Sequence, residues 1–544
     1  MFKLIILLLS VIKLGLVSVQ PLLAIHTSGH DDRLFLKLAA HLVQGEWLGP
    51  YNNLTLIKGP GYPLWLAVNY YLGLPLHLSQ HLLYMLAGIV LLIPLRKLGV
   101  QTIFLLILYA LYLFNPMIEV YVTRAGIYPA LTVWVIAGLS GIYAYRESAL
   151  IKLSLWAILT GLALIALWLT REEGIWLMPS TMLILGYTLW RLYQIYGFKL
   201  RLVLPLMPLI ILWSGLQGVA AINQHYYGVD TLVELKSDAF LSAYGALSRV
   251  KADSWQRFVP LPRHVRQKIY PVSPAFKALA PFLEGRLGRV WAGGQDEIPG
   301  AIFVWALRDA VARAGYHRSA AQAQRYYARL AAEINHACAQ QRLDCVAKRA
   351  RFIPPPYQPE YVPLTIKALL FMTQSVINFK HLPPYKAQHH VACQLNPPLA
   401  QIVQGRWLAA DCALPQASWF QSVHQGSVKL YQTVVPALIY MAIIFYVILV
   451  IHALGFRQIS ALFVINTALL VAILIRLVLV AIIDASAWPL IVDFELHTVK
   501  PSMSRYLLAI FPLLLIFTVL TFVHIGYSLS SSYRIYRTSG IAEF

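Results

Sequence analysis

Two adjacent carboxylates, Asp31 and Asp32, open the first polar stretch of the chain, directly after an apolar N-terminal segment. Charge at the end of a membrane helix is costly to keep and so marks a functional position. Two neighbouring carboxylates cannot both ionise cheaply unless a cation lies near them. Such a pair suits proton abstraction from a hydroxyl, or the holding of a divalent cation (Mg, Mn or Ca). The competing reading is structural. The apolar residues of Leu34-Phe35-Leu36-Lys37-Leu38-Ala39-Ala40-His41-Leu42 recur at helical spacing and end near Gly45, so the doublet also sits where a helix dipole favours negative charge. The loop then continues through Gly45-Glu46-Trp47, Gly49-Pro50-Tyr51 and Lys58-Gly59-Pro60-Gly61-Tyr62-Pro63. A turn so rich in Gly and Pro would fix one cation, Lys58, at the membrane surface.

The elements that must position these residues are membrane helices. Of the 544 residues, 59% are hydrophobic and only 12% charged, with a mean hydropathy of +0.63. That composition excludes a soluble protein of this length. The first apolar segment, about 4–25, reads as a retained signal anchor, with Lys13 in its middle obliged to snorkel or to face protein. Residues 62–74 are too short to cross, since a span needs about 20 residues. Further apolar runs cover approximately 80–95, 101–117, 128–144, 153–169, 174–190, 201–221, 432–454, 460–483 and 504–528. With the anchor, about ten crossings are expected. Arg96-Lys97, Arg146 with Lys152, Arg191 with Lys199 and Arg201, Arg457, and Arg534 with Arg537 all fall on one side. The Asp31 loop, the 115–127 turn, Arg171-Glu172-Glu173, the block 222–431 and the stretch 484–503 then share the opposite, external face. The spans themselves read as nearly free of charge.

Three motifs carry a resemblance. The acidic pair with the Gly-x-Trp turn and the Lys58-Gly59-Pro60 helix entry is the first. The turn Thr170-Arg171-Glu172-Glu173-Gly174 is the second, and Lys500-Pro501-Ser502-Met503-Ser504-Arg505-Tyr506 followed by Phe511-Pro512 is the third. In this order and on one face, they resemble the GT-C superfamily of polytopic membrane glycosyltransferases, in the aminoarabinose transferase, protein mannosyltransferase and Rgt-like branch. The family usually shows Asp-Glu where this chain has Asp31-Asp32. The likeness covers roughly 1–220 and 484–520. It implies an all-α polytopic fold, a polyprenyl-phosphate sugar donor, a glycan, lipid or protein acceptor, and transfer on the external, periplasmic side of a bacterial inner membrane. On this reading Asp31 is the general base, and Asp32 shares that role or helps hold the cation. Lys58, Arg171 and Arg505 face the lipid phosphate, Lys500, Glu173 and Tyr506 join the substrate site, and Glu172 orients Arg171 or binds sugar hydroxyls. Direct attack would invert the anomeric centre. A transporter or flippase of a lipid-linked saccharide is the alternative, but it calls for paired interrupted helices in matching halves, which the sequence lacks. A non-catalytic envelope assembly protein is another, in which the acidic pair would be dispensable.

The organisation expected is a transmembrane module 1–221 with its catalytic loop at 26–79, an external soluble domain 222–431, and C-terminal transmembrane helices 432–544. In the external block, helical periodicity covers 232–250, 301–314 and 319–341, where Tyr326, Leu330, Ile334 and Cys338 form one stripe. Residues Leu364–Met372 are apolar enough to lie on the membrane. All four cysteines fall in this block. Sequence proximity favours Cys338–Cys345 and Cys393–Cys412, as an oxidising exterior allows, over a zinc site; His389-His390 read as surface residues. The block carries 24 Lys and Arg against 12 Asp and Glu, roughly half of the net charge of +21. This favours anionic partners such as lipid phosphates. No P-loop, dinucleotide fingerprint or base-stacking motif is present, so nucleic acid is excluded as a partner. An external site has no access to cytosolic nucleotide sugars, which also points to a lipid-borne donor.

Overall fold

The computed structural model describes residues 1–18, 32–117, 122–254, 256–347, 358–380, 401–403, 418–456, 459–487, 492–493, 498–499 and 506–539. Asp31, Cys393, Cys412, His389, His390, Lys500 and Arg505 lie outside them.

Ten helices take up the apolar segments read from the sequence. In the N-terminal half these are α1 (Phe2–Ser18), α4 (Leu76–Lys97), α5 (Thr102–Leu113), α6 (Tyr128–Ala144), α7 (Leu150–Thr170), α8 (Met178–Tyr196) and α9 (Met207–Tyr227), with the shorter α2 (Asp32–Val43) and α3 (Gly61–Tyr71) in the first loop. Val435–Phe456, Ala461–Ser486 and Ile510–Ser539 follow in the C-terminal part. Among the described residues, seven helices are long and apolar enough to cross a membrane. The chain is therefore an all-α, multi-pass membrane protein. α5 has only 12 residues and is shorter than a crossing, contrary to the expectation for 101–117.

Local signals account for several helix ends. Proline occupies the first turn of α6, α8 and α9, where its missing N–H is no loss. α9 stops at Gly228, whose left-handed conformation (φ 72°) is open to glycine. α6 packs against α4 and α7 and is the most enclosed span, with 83% of its apolar window buried. It is the axis of the N-terminal bundle.

The polar block builds a second core. α10 (Asp238–Ser248) packs on Ala320–Ala339, and Phe240, Phe303, Leu307, Tyr327 and Leu330 fill the space between. The helix expected at 232–250 begins only at Asp238, where the Ser237 hydroxyl accepts the Phe240 N–H and caps it. Tyr326, Leu330 and Ile334 are buried as their spacing requires, and Cys338 closes a disulfide with Cys345. Leu364–Met372 has two apolar faces. It belongs to the helix Tyr361–Ile377, which packs against Ala461–Ser486 and buries Ala368, Met372 and Val376 in the core of the spanning helices, while Val362, Ile366 and Leu370 on its other face stay exposed. Among the described residues the only strands are Val492–Asp493 and Thr498–Val499, an antiparallel pair in the 484–503 stretch.

The first loop is fastened to this block by charges in its interior. Glu234 and Arg308 form an ion pair at 2.5 Å with 0% and 1% of their side chains exposed. The Tyr51 hydroxyl donates to Glu234 at 2.7 Å, Arg308 donates to the Asn53 carbonyl at 2.6 Å, and the Glu234 N–H donates to the Leu56 carbonyl at 2.8 Å. His317 completes the network, 3.1 Å from the Tyr51 oxygen and 3.0 Å from the Tyr327 hydroxyl. Because Tyr51 gives its proton to Glu234, His317 Nδ1 donates to Tyr51, and in the neutral ring Nε2 accepts from Tyr327.

Burial, and then the Arg308 charge, lower the His317 pKa to about 3. The free imidazole value is about 6.5, so the native state binds fewer protons than the unfolded one as pH falls below 6.5. Stability of the block should decline by up to about 1.4 kcal/mol per pH unit between about 6.5 and 3. Opening free energies from hydrogen exchange at a series of pH values would measure this slope. A His317→Gln variant should flatten it, and an unchanged slope would remove His317 as its origin.

Candidate active site

The Lys58-Gly59-Pro60-Gly61 turn is pressed onto the end of α7. A Cβ on Gly59 would fall 2.3 Å from the Leu169 carbonyl oxygen, and one on Gly61 would fall 2.6 Å from the Leu169 carbonyl carbon. Only glycine lets the two backbones approach so closely. Across this contact Glu172 accepts the Gly59 N–H at 2.6 Å with one carboxylate oxygen and Arg124 Nη1 at 3.1 Å with the other. Glu172 therefore orients Arg124 and the loop. Lys236 Nζ, arriving from the polar block, donates to the Glu172 backbone carbonyl at 2.5 Å. Burial lowers its pKa, against the pull of the Glu172 and Glu173 carboxylates.

Arg171 is buried, and its guanidinium lies between the rings of Tyr128 at 5.3 Å and Tyr506 at 5.2 Å. Glu173 bonds Arg476 Nη1 at 2.8 Å, and Arg476 Nε donates to the Tyr506 carbonyl at 3.1 Å. The Arg476 guanidinium also covers Trp176 at 5.7 Å, whose indole N–H donates to the Tyr128 hydroxyl at 2.8 Å. These contacts close a ring that ties the α7–α8 turn to the start of α6 and to the late helix entry at Tyr506. Burial would raise the Glu173 pKa, but Arg171, Arg476 and Arg124 together pull it well below the carboxylate range. Burial lowers that of Arg171, partly offset by Glu173. Glu173 keeps 38% of its side chain accessible.

α2 begins at Asp32, as read from the sequence, and the Asp32 side chain is 0% exposed. An ordinary helix-terminal carboxylate is solvated, so this burial goes beyond capping. One turn on, Phe35 meets Tyr62 edge-on at 5.2 Å, and Lys58 Nζ lies 5.0 Å from the Phe35 ring and 5.9 Å from that of Trp305. The Gly-x-Trp turn is anchored separately by Trp47 Nε1 donating to Asn223 at 2.8 Å.

The fold thus brings together Asp32, Lys58, Arg171, Glu172, Glu173 and Tyr506. Sequence reading missed Arg124, Lys236 and Arg476. For Arg476 the signal existed, since an arginine in the apolar run Leu474-Ile475-Arg476-Leu477 contradicts spans nearly free of charge. Among the described residues the neighbourhood holds five cations, Lys58, Arg124, Arg171, Lys236 and Arg476, against four carboxylates, Asp32, Glu172, Glu173 and Asp230. That surplus favours an anionic ligand. Beside it is a cavity of about 270 Å³, lined among others by Gly59, Trp168, Glu172, Gln217, Asp230 and Lys236. Its carboxylates, amide and indole suit a hydroxyl-rich ligand. Among the described residues no three His, Cys, Asp or Glu side chains come together as a metal site. Asp31, the other member of the acidic pair, lies outside the described residues.

No family model matches the chain, and no curated protein matches it. Among solved structures, the crystal structures of ArnT from Cupriavidus metallidurans in the apo state and bound to undecaprenyl phosphate align over 89% of this chain. They cover 77% and 76% of the ArnT chains, at 14% and 13% identity and TM-scores of 0.31 and 0.30. A likeness this slight carries no argument about fold or function.

Proposed function

We propose that this chain is an integral membrane glycosyltransferase of the GT-C type that moves a sugar from a polyprenyl-phosphate carrier to a hydroxyl acceptor on the external face of a bacterial inner membrane. The observation that carries the reading is the cation-rich cluster of Arg171 and Arg476, with Lys58 on the turn that Glu172 fastens beside it, next to the acidic start of α2 and a polar cavity on a multi-pass helical scaffold. The acceptor hydroxyl oxygen attacks the anomeric carbon from the face opposite the carrier. As that C–O bond forms, the bond from the anomeric carbon to the carrier phosphate oxygen breaks, and the phosphate leaves with the electron pair. The hydroxyl proton passes to a carboxylate of the Asp31-Asp32 pair. Arg171 and Lys58, with Arg505 and Lys500 from the late helix entry, offer charge-assisted donors to the developing phosphate dianion. Glu173 and Tyr506 hold Arg171 in place, and Glu172 fixes the Lys58 turn. The cavity at Trp168, Gln217 and Asp230 takes the sugar. Attack from the opposite face inverts the anomeric configuration.

The test is turnover by the purified protein in lipid with a panel of polyprenyl-phosphate sugars, following sugar transfer and free carrier together. Transfer with one carrier released per sugar is the expected result. Passage of the intact carrier-linked sugar across the bilayer, with no carrier released, would instead establish a transporter.

A further inference from the structure

The N-terminal bundle contains a second polar site that the transfer reading does not use. Lys13, on α1, is 95% buried and lines a cavity of about 40 Å³ together with Gln80, His81, Tyr84, Asn115 and Gly126. Among the described residues no carboxylate pairs with it. An ammonium group buried among helices is costly unless an anion or a set of acceptors compensates it. The cavity wall carries an unmet acceptor as well. Gln80 Nε2 donates to the Tyr62 hydroxyl at 3.3 Å, but Gln80 Oε1 is buried with no partner among the described residues. His81 Nδ1 must donate to the His77 carbonyl, 2.9 Å away, which leaves Nε2 free of that bond.

One unpaired cation and one unmet acceptor in the same small space specify a ligand group that is singly negative and also carries a proton to donate. A carboxylate lacks the proton, and a phosphodiester lacks it too. A phosphomonoester has both, because its second ionisation lies near pH 6 and burial beside a single positive charge favours the monoanion. The geometry points to the Lys13 cavity as a binding site for a terminal phosphate group, whether of free phosphate or of a membrane lipid ending in a phosphomonoester. The cavity is small, about 40 Å³, so any chain attached to the phosphate extends outside it. The site shares Tyr62, through Gln80, with the packing around Phe35 and Lys58.

The full-length protein in phosphatidylcholine nanodiscs is titrated with inorganic phosphate by calorimetry. In parallel, thermal unfolding is followed in discs containing phosphatidic acid or, as a diester of similar charge, phosphatidylglycerol. The parent is expected to bind phosphate, or to be stabilised by phosphatidic acid and not by phosphatidylglycerol; whichever arm responds identifies the source. Lys13→Met should weaken the response about tenfold or more, and Lys13→Arg should retain most of it. Where Lys13→Met does not fold, Gly126→Ala serves in its place, because its Cβ would fall 2.6 Å from the Gln80 amide and crowd the cavity. The assignment is overturned if the parent ignores both phosphate sources, if phosphatidylglycerol acts equally, or if the cavity variants respond like the parent.

Discussion

Replacing Asp31 with Asn should lower sugar transfer by about 10²- to 10⁴-fold with little change in thermal stability, the loss typical of a missing general base. Replacing Asp32 with Asn should lower both transfer and stability. The distinction comes from burial. Asp32 has no accessible surface at the start of α2, so in this conformation it cannot receive a proton from an acceptor hydroxyl. A carboxylate withdrawn so completely from water persists only when its charge is compensated inside the fold. Asn keeps the shape but removes the charge, leaving the compensating groups unsatisfied. On the proposed mechanism Asp32 positions the turn that carries Phe35 and, through it, Lys58, and Asp31, its neighbour in sequence, accepts the proton. The measurement is kcat and KM for the preferred donor together with the unfolding midpoint of each variant. If Asp32→Asn loses turnover at full stability while Asp31→Asn is silent, the two roles are exchanged. If both variants retain turnover, the pair is not catalytic.

Much of this arrangement could be read from the chain because its signals are local. Asp32 lies at the start of α2 since the apolar spacing from Leu34 onward is helical. The Lys58-Gly59-Pro60-Gly61 turn carries glycines where a backbone presses on it. What the sequence does not carry is which distant loops meet. Nothing near Glu172 states that its partners are Gly59 and Arg124, separated from it by 113 and 48 positions. Arg476 was readable as an anomaly in an apolar helix, but its partner Glu173 was not. The polar block was the least legible part. Glu234 and Arg308 are two charges among many in a block rich in Lys and Arg, and periodicity marks buried apolar stripes without distinguishing a buried ion pair from a solvated one. The packing of the helix Tyr361–Ile377 was hidden for a related reason. An apolar face seeks cover, and sequence does not say that the helix Ala461–Ser486 covers the Ala368, Met372 and Val376 side.

Breaking the Glu234–Arg308 pair should be the most damaging single change outside the catalytic loop. Glu234→Gln or Arg308→Met leaves one charge buried without its partner, a change that typically costs about 3–5 kcal/mol. The loss should be local at first. Glu234 also receives the Tyr51 hydroxyl, and Arg308 also holds the Asn53 carbonyl, so the segment Tyr51–Leu56 should lose its amide protection before the apolar helices around α6 do. Tyr51→Phe, which removes one hydrogen bond but no charge, should cost only about 1–2 kcal/mol at the same segment. The double variant Glu234→Leu/Arg308→Met should recover much of the loss, because an apolar pair of similar volume avoids burying either charge. Because the anchored segment precedes Lys58 by only a few residues, the single variants should also raise KM for the donor more than they lower kcat, as expected when a binding group is loosened while the reacting groups stay in place. Uniform exchange across the molecule in Glu234→Gln, or a double variant as unstable as the single ones, would mean that the pair does not hold the loop to the block.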